Sequence, residues 1–240
     1  NAGGATIEAV DGGPAWIGDT TPEGSGFLSG VTTGVFSNGL TNAEDEMDLN
    51  ALDGTVPWQV FIQERGDGGT AAPNLEYTFG VTEGQTYEVT LYFVENWHNI
   101  FTSTVNRVFD VQVNGVVPPQ FDDIHPLQEA IDLVGAEVPS GALTDAQKQP
   151  YLGTAFSKTY QFTAETADLV ISFLNGTQNP KINAIEIKAL GVVVPDPIIS
   201  IGDVTVTEGG DLIFDINRDG DDSQDIEVSY EIVPDTAVEG

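Results

Sequence analysis

Cysteine is absent from all 240 residues of this chain, so neither disulfides nor thiolate metal sites contribute to it. That absence argues against a eukaryotic secreted domain, which is often stapled by disulfides, and leaves a bacterial exterior open. Basic residues are almost as scarce, with 7 Lys and Arg against 38 Asp and Glu and a formal charge of −31. A field of that sign repels nucleic acid and anionic membrane alike, so neither is expected as a partner. Acidity on this scale with ordinary apolar content suits a saline or calcium-rich medium, where counterions screen the self-repulsion. Also missing are any apolar run near the roughly 18 residues of a membrane span and any basic, then apolar, export leader. The expected setting is the exterior of a bacterium, as a secreted or cell-surface protein whose leader has been removed or lies outside this stretch.

What is present is β-patterned. Hydrophobic residues make up 40% of the chain, enough for one sizeable core plus something smaller. The run "YEVTLYF" sets Tyr87, Val89, Leu91 and Phe93 on one face and Glu88, Thr90 and Tyr92 on the other, the alternation of a half-buried antiparallel strand. "VFDVQVNGVV" alternates likewise and then offers Asn114-Gly115, a hairpin signal because both residues tolerate positive φ. "TYQFTA", "DLVISFLNG" and "INAIEIKAL" continue in the same style, and together these runs predict an all-β sandwich. Two short helices interrupt it inside one long excursion. "HPLQEAIDLVG" has Pro126 for a first turn, Leu127, Ala130, Ile131 and Val134 on one face and Gly135 as a stop; "LTDAQKQPY" starts at Thr144 or Asp145 and ends before Pro150. The first 60 residues, rich in Gly, Ser and Thr, read mostly as loop.

Composition shifts at "GVVVPDPIISIGD", where Pro195 and Pro197 bracket Asp196 as a stiff spacer. The expected organisation is a domain over 1–191, a linker over 192–197 and a second, incomplete sandwich over 198–240. From residue 196 onward there are 13 acids and one base, Arg218. Strand patterning persists there in "IISIGDVTVTEGG", "DLIFDINRDGD" and "DIEVSYEIV", with Asp219-Gly220 as a hairpin turn. Three or four strands in a segment this short, without disulfides, are too few to stand alone.

Particular stretches carry family resemblances. "NAGG", "FIQERG", "YTFGVTEGQTYEVTLYFVE", "RVFDVQVNG" and "NPKINAIEI" resemble, in that order and at similar spacing, the malectin domain and malectin-like carbohydrate-binding modules over roughly residues 1–190. "ISIGDVTVTEGG" and "INRDGDDSQDIEVSYEIVPDTAVEG" resemble the first half of a Calx-β domain, an immunoglobulin-like sandwich that often binds calcium. The first resemblance implies a jelly-roll type sandwich whose sugar site is a cleft at one end, with two aromatics just after the "FVE" strand stacking on the sugar. Those positions fall on Trp97 and His98. An indole face suits the axial C–H patch of a pyranose, while polar neighbours take the hydroxyls. Glu64 and Arg65 fall in the "QER" motif, Gln178 stands where the family has an acid that bonds sugar, and Phe36 is the counterpart of an early tyrosine. Departures at His98, at Gly66 and at Gln178 imply a glycan other than malectin's own diglucose. The second resemblance implies Ca2+ ligands at Glu208 and Asp235.

Plainer readings stand beside these. Trp16 and Trp58 are packing residues or loop anchors, His125 belongs to the start of a helix, and Glu64 with Arg65 makes a sheet-end ion pair. Asn179 and Pro180 fix a turn. Two carboxylates such as Glu64 and Glu95 facing one cleft would be the minimum for a glycosidase, yet no nucleophile elbow, HExxH, P-loop or cysteine–histidine pair is present, and "DGDD" lacks the spacing of an EF-hand. The expected function is therefore noncatalytic binding of an oligo- or polysaccharide by an extracellular bacterial protein. The alternative is a segment of a calcium-dependent surface adhesin or fibre, whose tail sandwich is completed by a neighbouring copy or domain.

Overall fold

The computed structural model describes residues 1–19, 26–30, 35–37, 47–52, 54–67, 74–97, 100, 107–135, 137–138, 144–191, 198–207, 209–219, 225–231 and 233. It separates into two compact units, Asn1–Leu190 and Gly191–Gly240. In the first unit, one sheet has the order β1 (Leu28–Gly30), β4 (Leu75–Gly80), β8 (Asp168–Thr177), β6 (Val108–Val113), and its facing sheet the order β10 (Ala184–Ala189), β5 (Thr86–Val94), β7 (Ala155–Thr163). A small third sheet joins β2 (Val35–Ser37), β3 (Gln63–Gly66) and β9 (Lys181–Ile182). All the pairings are antiparallel.

Alternation makes the core. Val89, Leu91 and Phe93 of β5 meet Phe156 of β7, Leu75 and Tyr77 of β4, and Leu169, Ile171 and Phe173 of β8 in one buried cluster. Phe93 stacks on Phe156 at 5.3 Å and meets Phe109 edge-on at 6.0 Å, geometries that the ring quadrupole favours. The other face of β5 departs from the half-solvated expectation, because from Thr90 to Val94 both faces are buried. A second cluster covers it, in which Tyr92, Val94, Ala155 and Ala184 pack against Val56, Val60 and Phe61, with Ile7, Trp16 and Leu52 partly buried around them. The stretch expected as loop thus acts as a third layer. It carries short strands, a 3-10 turn over Trp58–Phe61 and an Ile7–Trp16 bridge, and its sparse apolar residues are what it commits to the sheet.

The helices fall where their signals are. The first, α1 (Pro126–Val134), has the His125 Nδ1 accepting the Gln128 N–H at 2.9 Å as a cap and ends at left-handed Gly135. In α2 (Asp145–Lys148), Thr144 and Gln147 exchange side-chain to backbone bonds as a capping box. Asn114-Gly115 turns with φ of 49° and 82°, but no strand pairs with β6 beyond it. What pairs with β6 there is limited to single bridges, Val113–Val116 and Phe109–Ile124, because Pro118 and Pro119 lead into a 3-10 turn at Pro119–Phe121. Asn114 instead closes onto β8, its Oδ1 accepting the Val170 N–H at 2.7 Å.

In the second unit, β11 (Ile198–Ile201) pairs antiparallel with β12 (Ile216–Asp219). The strand expected over "DIEVSYEIV" is not formed at residues 225–231, and the turn expected at Asp219-Gly220 lies partly outside the described residues. A two-stranded ribbon offers no second layer on which an apolar face can be buried, and Ile198, Ile213, Phe214 and Tyr230 stay exposed.

Where β6 shifts register between Val108 and Asp110, Gly176 of β8 meets its backbone. A Cβ at 176 would lie 2.4 Å from the Val108 carbonyl oxygen. Gly176→Ala is expected to lower stability by about 1–3 kcal/mol through overpacking against backbone, measured as a fall in urea midpoint at unchanged m-value.

Candidate functional site

At the end of β5 the chain must turn out of a fully buried strand. Glu95, wholly buried, organises that turn, its Oε1 accepting the N–H groups of both Asn96 and Trp97 at 3.1 Å. Trp97 emerges with 38% of its surface exposed. The excursion holding both helices clamps the same turn from outside. From it Gly153 N–H donates to the Glu95 carbonyl at 3.1 Å, while within the Trp97 loop itself Ile100 N–H donates to the Trp97 carbonyl at 2.9 Å. Ile100 then packs with Leu127, Tyr151 and Leu152, backed by Ile131 and Val134 of α1. The excursion therefore supports the loop that bears Trp97.

Behind this turn lies a buried ion cluster. Lys181 Nζ bonds Glu64 Oε2, lies 3.8 Å from Glu95 Oε1 and donates to Asn96 Oδ1 at 3.4 Å. Arg107 Nε donates to Glu95 Oε2 at 3.2 Å, and its Nη1 to the Asn179 carbonyl. Asn96 Nδ2 is buried and has no hydrogen-bond partner among the described residues. Burial alone would push the Glu95 carboxyl up in pKa, but the Lys181 ammonium, the Arg107 guanidinium and the Trp97 N–H hold it below the usual glutamate value. It stays a carboxylate.

The residues singled out from the sequence fall into different places. Trp97 is on the surface, beside the cluster. Gln178 is exposed at φ 63° in the turn between β8 and β9, and Arg107 ties that turn to Glu95 through Asn179. Glu64 and Arg65 are not on an open cleft wall, since they are 6% and 1% exposed. Glu64 is taken by Lys181. Arg65 Nε donates to Asp19 Oδ2 at 2.6 Å and its Nη2 to Asp19 Oδ1 at 3.0 Å, while Tyr77 Oη donates to Asp19 Oδ2 at 2.8 Å. The expected Glu64–Arg65 pair is thus replaced by two separate buried pairs, because neighbouring strand residues point to opposite faces. Phe36 is placed through its backbone, opposite Glu64 in the β2–β3 ladder. His98, Glu208 and Asp235 lie outside the described residues.

Sequence reading missed Lys181, Arg107, Asn183 and Asp19. Asn183 joins two sheets, with Oδ1 accepting the Val94 N–H and Nδ2 donating to the Gln63 carbonyl, both at 3.0 Å. A signal existed for the cations, since a base inside strand-like sequence is conspicuous in so acidic a chain. Among the described residues, a group of three carboxylates that converge within 4.8 Å is formed by Asp110, Asp122 and Asp123 of the first unit. Asp110 Oδ1 accepts the Asp123 N–H at 2.8 Å, which accounts for part of that convergence as a turn.

Because the Glu95 pKa is depressed in the folded protein, its contribution to stability is complete above the unfolded glutamate pKa and is lost as pH falls through the folded one. Glu95→Gln keeps an acceptor for the Trp97 N–H but removes the charge. At pH 7 it is expected to destabilise by roughly 3–5 kcal/mol, the penalty of breaking a buried pair, and to flatten the acid limb of a plot of thermal midpoint against pH.

The family model for the malectin domain matches residues 1–185, and among curated proteins none matches significantly in sequence. In structure the chain is similar to the plant receptor-like kinase FER, at 20% identity and a TM-score of 0.59, covering 80% of this chain and 49% of that one. It is also similar to the extracellular domain of ANXUR1 from Arabidopsis thaliana, at 17% identity and TM-score 0.57, covering 80% and 48%. A β-glucuronidase of Bacteroides uniformis shares the fold at 15% identity and TM-score 0.51, covering 80% of this chain and 17% of the enzyme. This chain spans about half the length of the two plant proteins, and at such identities the likeness is one of fold. No helix among the described residues is long and apolar enough to cross a membrane. With a family match that covers most of its length, the chain belongs to the malectin domain family.

Proposed function

We propose that this protein binds carbohydrate without transforming it, at the end of the sandwich that bears Trp97, and that it does so outside a bacterial cell. The supporting observation is the way Trp97 is presented, half exposed on a turn whose backbone is held from below by a buried carboxylate and from outside by the helical excursion. A tryptophan whose backbone is held in place gives up less entropy when a sugar ring stacks on it. Gln178 at the adjoining turn supplies amide donors and an acceptor for hydroxyls, and His98 is assigned a neighbouring contact. Phe36, Glu64 and Arg65 are assigned a supporting role behind the cleft. The noncatalytic reading rests on Glu64 and Glu95, since both carboxylates are engaged by Lys181 and Glu95 is held in its charged form, unsuited to acting as a general acid.

A second reading concerns the tail, where Ile198, Ile213, Phe214 and Tyr230 are left in solvent. In it the tail is the opening part of a Calx-β sandwich that takes up Ca2+ through Glu208 and Asp235 and is completed by strands of a neighbouring chain in an adhesin or fibre. Sedimentation velocity with and without Ca2+ is expected to show calcium-dependent association, and a monomer under both conditions would count against this reading.

For the cleft, a glycan array followed by calorimetry is expected to find a saccharide ligand. Trp97→Ala should weaken it by at least about tenfold, or roughly 1.4 kcal/mol, with thermal stability unchanged. A well-folded chain that binds no glycan would defeat the proposal.

A further inference from the structure

A second concave surface lies on the flank of the first unit, away from Trp97. It is a groove of about 830 Å³, within the roughly 300–1,000 Å³ typical of ligand sites. Its floor is the outer face of the β10-β5-β7 sheet, where Glu88, Thr90, Ser157, Thr159, Glu186 and Lys188 line it. Trp16 stands at its wall and is held rigidly, exchanging two backbone bonds with Ile7 at 2.8 and 3.0 Å. Its ring meets Tyr92 edge-on at 5.5 Å. Trp97 lies past the end of β5, and neither it nor Gln178 is among the residues that line this groove, so groove and cleft are separate places.

The geometry points to this groove as a binding site for a neutral oligosaccharide, distinct from the Trp97 cleft. Each threonine hydroxyl has one proton and two lone pairs, so the Thr90–Thr159 pair at 3.1 Å retains unused capacity toward a ligand hydroxyl. Glu186, exposed and oriented by the Tyr92 Oη at 2.7 Å, is a charged acceptor of the kind that bonds sugar hydroxyls strongly. Polar groups on the floor and an indole at the wall match the two kinds of surface on a pyranose. Charge narrows the class. Asp11, Glu88 and Glu186 outnumber Lys188 along the groove, which disfavours uronate or sulfated chains.

An extended peptide adding to the edge of β10 is the competing occupant. That edge is short and closed at its ends, since the Asn183 carbonyl accepts the Ala2 N–H at 2.8 Å and the Leu190 carbonyl accepts from Gln85 Nε2. Few backbone groups remain there for a ladder.

The inference does not depend on Trp97 binding anything, and the test keeps the two sites apart. The 15N-labelled full chain is titrated with neutral gluco-, manno- and xylo-oligosaccharides and, as a counter-panel, with oligogalacturonates. A neutral member should shift the Trp16 indole N–H and the amides of Thr90 and Thr159, with the same response in Trp97→Ala. Thr159→Arg, at an exposed floor position, should weaken that response at least tenfold while leaving the Trp97 signals in place; Ser157→Arg serves if that variant folds poorly. Shifts confined to the Trp97 region, full binding by the arginine variants, preference for the galacturonates, occupancy by peptide alone, or no response to any neutral member would each overturn the inference.

Discussion

Charge placed inside a sandwich has to be neutralised there, and this chain does so with a cation supply of only 7 residues. Three of them, Arg65, Arg107 and Lys181, are buried, each beside at least one buried carboxylate. Removing such ions from water costs several kcal/mol each, and their attraction offsets this only when geometry is good and the remaining protons are satisfied. Here they are widely shared. Lys181 reaches Glu64, Glu95 and Asn96, and Arg107 reaches Glu95 and the Asn179 carbonyl. These links join β3, the end of β5, the start of β6 and the β8–β9 turn. A slipped register would strand a charge, so the cluster specifies the pairing at this end of the sandwich more than it adds net stability.

Trp97 inherits its placement from that cluster. The carboxylate that answers Lys181 and Arg107 also receives the Trp97 N–H, so the electrostatics of the interior and the position of a surface indole share one side chain. The excursion between β6 and β7 closes the arrangement from outside through Ile100 and Gly153. Its two helices are well capped, and Leu127, Ile131 and Val134 of α1 join Tyr151 and Leu152 in a small apolar cluster that receives Ile100. An excursion with its own core can hold a loop in place where a plain loop of that length could not.

How much could be read beforehand differs from element to element. The alternation in β5, β7, β8 and β10 is local information, because a side-chain period of two arises from the backbone alone, and those strands form where the pattern lies. The Pro126, Gly135 and Thr144 signals located the helices for the same reason. Asn114-Gly115 was legible as a turn but not as a hairpin, since a hairpin also needs a second strand able to donate to the ladder, and Pro118 and Pro119 interrupt the chain just past the turn. The loop-like first 60 residues hid their role because Ile7, Trp16 and Leu52 are too sparse to show a period. They matter only when a sheet face is present beneath them. Glu64 and Arg65 were legible as a charged pair but were matched to each other, whereas their partners are Lys181 and Asp19, distant in sequence.

The sequence by itself determined the all-β class, the positions of the helices and the exclusion of disulfides, since each rests on composition or on periodicities a few residues long. The family's motifs also singled out Trp97. Only the tertiary structure decided which acids are surface charge and which are buried ligands of Lys181, Arg107 and Arg65. It also decided that the outer face of β5 divides between a covered apolar half and a polar half that floors an open groove. Both outcomes depend on contacts between residues far apart in the chain, and the free energy of burying a charge or a hydroxyl is set by those neighbours rather than by the residue itself.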